Sequence, residues 1–233
     1  MIPNPAFNIW EHTRETLFDL YAKRARNELP EMTCNKQAVE LLAPHVRPGW
    51  TVLDAGCGSG GLFWSFYSRK LPVEYHGLDY TAGFIALGRE NIPADLSPPD
   101  RLHLGAIEDL DREYDAVICI NTLFCLPNFH QGLERLARAA RKILIIRTLL
   151  AEKTEIRYET DDYLDAGFRG PGGLRSYFNI FSLSEVMDFL RDEGFEVALP
   201  VDERTGDQPE LSAGKIFPYR VLSCRRIQEP TRS

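Results

Sequence analysis

The 233-residue sequence has no apolar run that approaches membrane-spanning length, and no apolar signal segment opens it. No membrane partner is expected, and the expected compartment is the cytoplasm. The five cysteines, at 34, 57, 119, 125 and 224, are odd in number and form no CxxC pair. Neither a zinc knuckle nor a disulfide framework is indicated, so no metal is expected. There is also no excess of basic charge: 27 Lys and Arg stand against 34 Asp and Glu, a net charge of −7. A nucleic-acid partner is therefore not expected. A local basic run, Arg135, Arg138, Arg141 and Lys142, has the spacing of the solvated side of one helix. No internal repeat occurs.

The composition is that of an ordinary globular protein, with 44% apolar and 26% charged residues. Its length suits one domain, or one domain plus a cap. Helical spacing of Ile9, Thr13, Leu17, Leu20 and Tyr21 predicts a helix over 6–28, interrupted by Pro30. A second helix is predicted over 33–46, ending before Pro48-Gly49. From residue 50 the period changes. Strands at 51–55, 73–79, 101–105, 114–120 and 142–148 alternate with helices at 60–69, 82–90 and 129–140. Such alternation predicts a parallel sheet covered on both faces. Residues 151–181 are aromatic, polar and glycine-bearing and read as an inserted lid or loop. Ser182-Leu183-Ser184-Glu185 reads as a helix cap. Strands at 195–200 and 216–224 follow, as an antiparallel hairpin at a sheet edge.

The most informative stretch is Thr51 to Leu62, TVLDAGCGSGGL. It reads as a buried strand entering a glycine-rich turn and then a helix. Glycines at 56, 58, 60 and 61 let the backbone turn tightly beside a ligand, and a helix starting here would aim free N–H groups at it. Gly56, Gly58 and Gly61 also satisfy the G-x-G-x-x-G spacing of a dinucleotide site. Asp54 separates the two readings. A carboxylate before the first glycine would repel a pyrophosphate, whereas it can serve a cationic ligand.

The run LDAGCGSGGL resembles motif I of the class I S-adenosylmethionine-dependent methyltransferases. The resemblance extends over about residues 50–225. It implies an α/β, doubly wound, mostly parallel seven-stranded sheet with an antiparallel C-terminal hairpin and an N-terminal helical cap. The implied organisation is a cap over 1–48, a cofactor-binding domain over 49–226 with the insertion at 151–181, and a flexible tail, 227–233. The implied cofactor is S-adenosyl-L-methionine, held by Asp54, Gly56, Cys57, Gly58 and Gly60. Asp79, at the end of the second strand, is placed to accept hydrogen bonds from ribose hydroxyls, or to cap the helix starting near Thr81. Tyr80 would lie beside the adenine and Ile107 would cover it. Ala106 stands where the family often has an acid, so Glu108 or Asp109 is left to read the adenine amine. Asn121 ends the fourth strand, facing the donor methyl.

The tetrad that grips a nucleobase amine is absent, since the chain reads Asn121-Thr122-Leu123-Phe124. The expected acceptor is therefore a small molecule, methylated on oxygen or nitrogen by direct displacement. His130 is a candidate base, with Tyr163 a further catalytic candidate in the aromatic insertion; His12 and Tyr21 are weaker ones. A monomer or homodimer is expected. An NAD-dependent oxidoreductase would use the same glycine turn and Asp79, and a noncatalytic cofactor-binding relative would share both.

Overall fold

The central strands are apolar on both faces, and this dictates the layering. In β4 (Tyr114–Ile120), Ala116 and Ile118 are buried on one side of the sheet, while Val117 and Cys119 are buried on the other. A strand with no polar face must be covered twice. In the computed structural model, which describes residues 8–160, 174–212 and 215–227, helices lie on both sides of such a sheet.

Along the chain, a 3-10 turn at Ile9–His12 leads into α1 (Glu15–Ala25) and α2 (Thr33–Leu42). Then come β1 (Trp50–Ala55), α3 (Phe63–Ser68), β2 (Val73–Asp79), α4 (Ala82–Asn91), β3 (Leu102–Leu104) and β4. The helix α5 (His130–Ala139) runs without a loop into β5 (Ala140–Ala151). After β5 come β6 (Tyr158–Thr160), β7 (Arg175–Tyr177), β8 (Phe181–Ser182), α6 (Leu183–Asp192) and β9 (Phe195–Ala198). The pair β10 (Glu210–Ser212) and β11 (Lys215–Phe217) precedes the last strand, β12 (Tyr219–Arg226).

The main sheet has the order β3-β2-β1-β4-β5-β12-β9, with the short β8 pairing β5 off this path. Pairing is parallel from β3 to β5 and antiparallel between β12 and both its neighbours. This is the doubly wound, seven-strand path with an antiparallel C-terminal edge, augmented by β8. The strand order reverses direction at β1 and β4, and in such sheets ligands bind at that switch point, outside the carboxyl ends of the strands.

Several local expectations are corrected. The single helix expected over 6–28 is broken, because Thr13 and Arg14 both take extended backbone, with ψ 160° and 148°. The helix expected from residue 60 begins only at Phe63 and is six residues long. Gly56, Gly58 and Gly60, all with positive φ, first wind the chain through consecutive tight turns. The dipole of so short a helix contributes little to a ligand. The strand expected over 216–224 is split at Pro218, which has no N–H for a ladder.

The expected cap over 1–48 divides in two. Ala38, Val39 and Leu42 of α2 are buried in the same apolar layer as Phe63, Phe66 and Ile85, under β1, β4 and β5. By contrast, α1 lies across the strand ends. The insertion is partly anchored: Asn179 is fully buried, accepting from the Arg157 N–H and donating to the Leu126 carbonyl. Residues 161–173 of the insertion, Tyr163 among them, and the 228–233 part of the expected tail lie outside the described residues.

On the other face, Leu133, Leu136 and Ala137 of α5 pack with Val186 and Leu190 of α6 against β4 and β5. Leu136 is fully buried there. Leu136→Ala should therefore destabilise the fold by about 2–5 kcal/mol, read as a lowered urea midpoint with an unchanged slope. A change under about 0.5 kcal/mol, the size of an ordinary surface substitution, would show that this face is not closely packed.

Candidate functional site

The glycine turn is held from below by one side chain. The Asp79 carboxylate, at the end of β2, accepts from the Gly58 N–H at 2.8 Å through Oδ2 and from the Thr81 N–H at 2.9 Å through Oδ1. It thus joins the turn after β1 to the start of α4. Loop-holding is seen, whereas the second bond reaches only the N-cap residue Thr81 and α4 has no side-chain cap; the two bonds leave lone pairs free, since a carboxylate accepts about four hydrogen bonds. Burial pushes the Asp79 carboxyl upward in pKa, against the opposing pull of the two N–H groups.

Asp54 closes β1. It is buried, and the Tyr75 hydroxyl donates to its Oδ2 at 2.8 Å. Burial raises its pKa to about 7, with the Tyr75 hydrogen bond acting in the lowering direction and the charge of Asp79 adding to the rise. Two carboxyl groups in one dry corner favour a cation nearby.

The turn itself has no room for side chains. A Cβ on Gly56 would come within 2.0 Å of Thr122 Oγ1, and one on Gly58 within 2.3 Å of the Tyr21 ring. The glycines are thus required by this chain's own neighbours, Thr122 after β4 and Tyr21 of α1. Gly60 is turned away, toward Ile92 and Leu102 in the core, so its role is conformational. The Cys57 side chain tucks under the loop beside Gly77, and its thiol is pushed well upward in pKa by burial.

A cavity of about 330 Å³ opens between the ends of β1 and β4, at the switch point. Its floor is Asp54, Gly56 to Ser59, Ile120, Asn121 and Thr122, and its roof is Trp10, Leu17, Leu20, Tyr21 and Arg24. The roof is fastened to the floor: Ser59 Oγ donates to the Tyr21 carbonyl at 2.7 Å, and Tyr21 stacks on Phe84 of α4 at 4.1 Å. Farther along, the Trp64 indole donates to the Ala25 carbonyl and the Asn8 amide to the Tyr80 carbonyl.

A sequence profile described as a methyltransferase domain matches residues 53–142, the span from β1 to the start of β5. Residues 53–142 thus carry a methyltransferase domain, and the fold is that of solved S-adenosylmethionine-dependent methyltransferases. A stretch of 102 residues, 41% of the chain, is 29% identical to the mitochondrial ubiquinone biosynthesis O-methyltransferase of Saccharomyces cerevisiae; it spans 33% of that relative's length. In fold, the chain resembles the magnesium protoporphyrin IX methyltransferase of Synechocystis, crystallised with bound S-adenosylmethionine. Identity is 18%, the TM-score is 0.59, and the likeness covers 97% of this chain and 100% of that one. The CcbJ methyltransferase of Streptomyces caelestis gives 19% identity and a TM-score of 0.59, over 95% and 99% of the two chains.

The expected site residues separate into groups. Asp54, Gly56, Cys57, Gly58 and Asn121 surround the cavity, and Asp79 adjoins it through Gly58. Tyr80 stands at the end of β2 with nearly half its surface exposed. Glu108 is half-buried in the turn after β3, while the Ile107 side chain is in the apolar core and presents no face to the cavity. His130 is exposed at the start of α5, its ring on Phe129 and Phe189. It is not brought to the cavity, because the first turn of α5 faces α6. Among the described residues no group of three His, Cys, Asp or Glu is arranged to hold a metal, and no helix is long and apolar enough to cross a membrane.

Three residues that matter here had no place in the sequence reading: Arg24, Arg147 and Asp202. For Arg147 a signal existed. It is a single charge within the apolar run Ile143 to Leu150, and a buried charge demands a partner.

Asp54 sets a pH signature. Its carboxyl is raised to about 7 in the folded chain, against about 3.9 unfolded. The folded state binds more protons between these values, so this stabilising contribution is complete below pH 4 and is lost as pH rises through 7. Relative to Asp54→Asn, the wild type should lose roughly 2–4 kcal/mol of stability between pH 4 and 8. Parallel urea titrations at the two pH values measure it; an equal change in both proteins would place the Asp54 carboxyl at an ordinary pKa.

Proposed function

We propose that this chain transfers a methyl group from S-adenosylmethionine to a small-molecule acceptor. The observation that carries the reading is the pair of carboxyls, Asp54 buried and Asp79 half-buried, set around a glycine-rich turn at the switch point of the sheet. These residues fit a nucleoside that carries a cationic amino-acid end. Asp79 has acceptor capacity left for ribose hydroxyls, and Asp54 gains a reason to ionise when a cation lies near. Asn121 borders the cavity, and Tyr80 and Glu108 are the residues assigned here to the base.

When bound, the cofactor supplies a methyl group on a positively charged sulfur. The residues of this chain would do the rest by positioning and by excluding water. Trp10, Leu17, Leu20 and Tyr21 give the cavity an apolar roof, and displacement reactions that consume a cation are favoured in a water-poor site. The Tyr21 phenol is held above its ordinary pKa by burial and by Asp79, so it stays neutral. The low identity of the solved relatives, 18% and 19%, leaves the acceptor to be found by assay.

Calorimetry tests the cofactor directly. S-adenosylhomocysteine should bind and NADH should not; tight NADH binding with no response to S-adenosylhomocysteine would overturn the reading in favour of an oxidoreductase.

Asp79→Ala should weaken S-adenosylhomocysteine binding by about 1.5–3 kcal/mol, the range for hydrogen bonds to a charged group. It also releases the Gly58 N–H, so circular dichroism should accompany the titration to confirm the fold. A folded variant with wild-type affinity would remove Asp79 from the site.

A further inference from the structure

Asp54 and Tyr75 meet because of strand register. In β1, Val52 is buried in the same apolar layer as Phe63 and Phe66, and Asp54, two residues on, shares its face of the sheet. Val52 pairs with Tyr75 of β2, so the long Tyr75 side chain reaches one step along the neighbouring strand to Asp54. Its ring stands between Phe63 and Phe66 of α3, with centroids 5.8 and 6.2 Å away. Among the described residues its hydroxyl has one acceptor, Asp54 Oδ2 at 2.8 Å. The hydroxyl is therefore the donor.

That bond takes only one oxygen. Asp54 Oδ1 has no partner among the described residues, yet it is not fully enclosed, and Asp54 lines the cavity. Oδ1 is thus the acceptor that the cavity sees.

A carboxylate here has little to keep it charged. Asp54 is 5% exposed, and no Lys or Arg holds it among the described residues. From β2 it faces the Tyr75 hydroxyl and the Asp79 carboxyl, from the glycine turn the Cys57 thiol, and from β4 the Cys119 thiol. Burial holds both thiols and the Tyr75 phenol above their usual range, so these groups are neutral. Arg24 and Tyr21 of α1 line the same cavity, and neither bonds to Asp54 among the described residues. The remaining charge is that of Asp79, and it has the same sign. A buried carboxyl beside another keeps its proton toward neutral pH. Since Oδ2 accepts from Tyr75, that proton sits on Oδ1, in the cavity.

We propose that Tyr75 is a positioning residue for the ligand's cationic end: it turns Asp54 Oδ1 to the cavity, where a bound cation takes the place of the carboxyl proton. The exchange balances. The O–H bond on Oδ1 breaks, the proton leaves to solvent, and an ammonium N–H donates to the same oxygen, so the corner keeps its net charge. Tyr75 favours the ionised form, because a donor held against a carboxylate stabilises its charge. The contact of Asp54 with a cation belongs to the methyl-transfer reading, on which this inference rests. The proton exchange, and its control by a side chain outside the cavity, go beyond that reading.

Binding is then linked to pH. While the free protein holds the Asp54 proton, affinity for a cationic ligand rises tenfold per pH unit, and the rise stops once the carboxyl is ionised without a ligand. Calorimetry on the full chain from pH 5.5 to 8.5 reads this with two probes. S-adenosylhomocysteine carries the ammonium, and methylthioadenosine lacks the amino-acid end. The ratio of their affinities should rise about tenfold between pH 5.5 and 6.5 and level off above about pH 7. At pH 6, S-adenosylhomocysteine should release close to one proton, read from the heats in buffers of different ionisation enthalpy. Methylthioadenosine should release none.

Tyr75→Phe keeps the ring and removes the donor. It should move the break to higher pH, so that S-adenosylhomocysteine binds about tenfold more weakly than to the wild type at pH 6, with the deficit narrowing by pH 8.5. Asp54→Asn should remove both the pH dependence and the proton release. The wild-type measurements stand without either variant. A flat wild-type ratio, or no proton release at pH 6, overturns the exchange. A Tyr75→Phe deficit of equal size at every pH makes Tyr75 a packing residue and overturns its positioning role. Failure of both probes to bind at every pH overturns the methyl-transfer reading, and the inference falls with it.

Discussion

The hydrogen bond from the Gly58 N–H to Asp79 is the contact on which the site depends. The N–H groups of Gly56 and Cys57 tie the start of the turn to the Leu78 carbonyl, and the Asp79 carboxylate carries that hold on to Gly58, in a turn where Gly56, Gly58 and Gly60 all have positive φ. With it, the end of β1 and the end of β2 become one rigid corner, and α4 starts from the same carboxylate through Thr81. The Tyr21 ring can lie against Gly58 only because that corner is flat and bare. The turn, the start of α4 and the floor of the cavity meet at one half-buried carboxylate.

The corner also divides the site by charge. Asp54 and Asp79 make one side a place for positive charge, and burial holds both carboxyls above their usual range. On the opposite side, Arg147 Nη1 donates to the Asn121 carbonyl oxygen, and the guanidinium is paired with Asp202. Most of this polarity is set by groups that do not line the cavity: Tyr75 behind Asp54, and Arg147 with Asp202 behind Asn121.

How much of this could be read from sequence depends on the range of the interaction. The strands β2 and β4 fall at the residues expected, 73–79 and 114–120, because an apolar run bounded by polar turns is a local signal. The glycine turn, the acid at the end of β2 and the antiparallel edge were equally plain. The break at Thr13 and Arg14 was not, since the helical spacing of apolar residues continues across it. The Asn121–Arg147–Asp202 line joins residues up to 81 positions apart in sequence, separations of 26 and 55 in turn. No local pattern announces such a contact, although the charge inside β5 should have prompted a search for its partner. His130 illustrates the opposite error: a suitable side chain near a motif in sequence, carried by its helix to face α6.

The position of β12 has a consequence for how the molecule is made. The last strand of the sheet lies between β5 and β9, so β9 has no edge to settle on until residues 219–226 are available. During synthesis, at about 5–20 residues per second, the parallel half from β3 to β5 can assemble early. Asp202 sits in the connection that precedes β12, and the Tyr219 ring under Arg147 opens that strand. The glycine corner therefore belongs to the early half of the molecule, while the orientation of Asn121 is a property of the late half. A nascent chain would form the nucleoside end of its site first and fix the Asn121 end only when its final strand is in place.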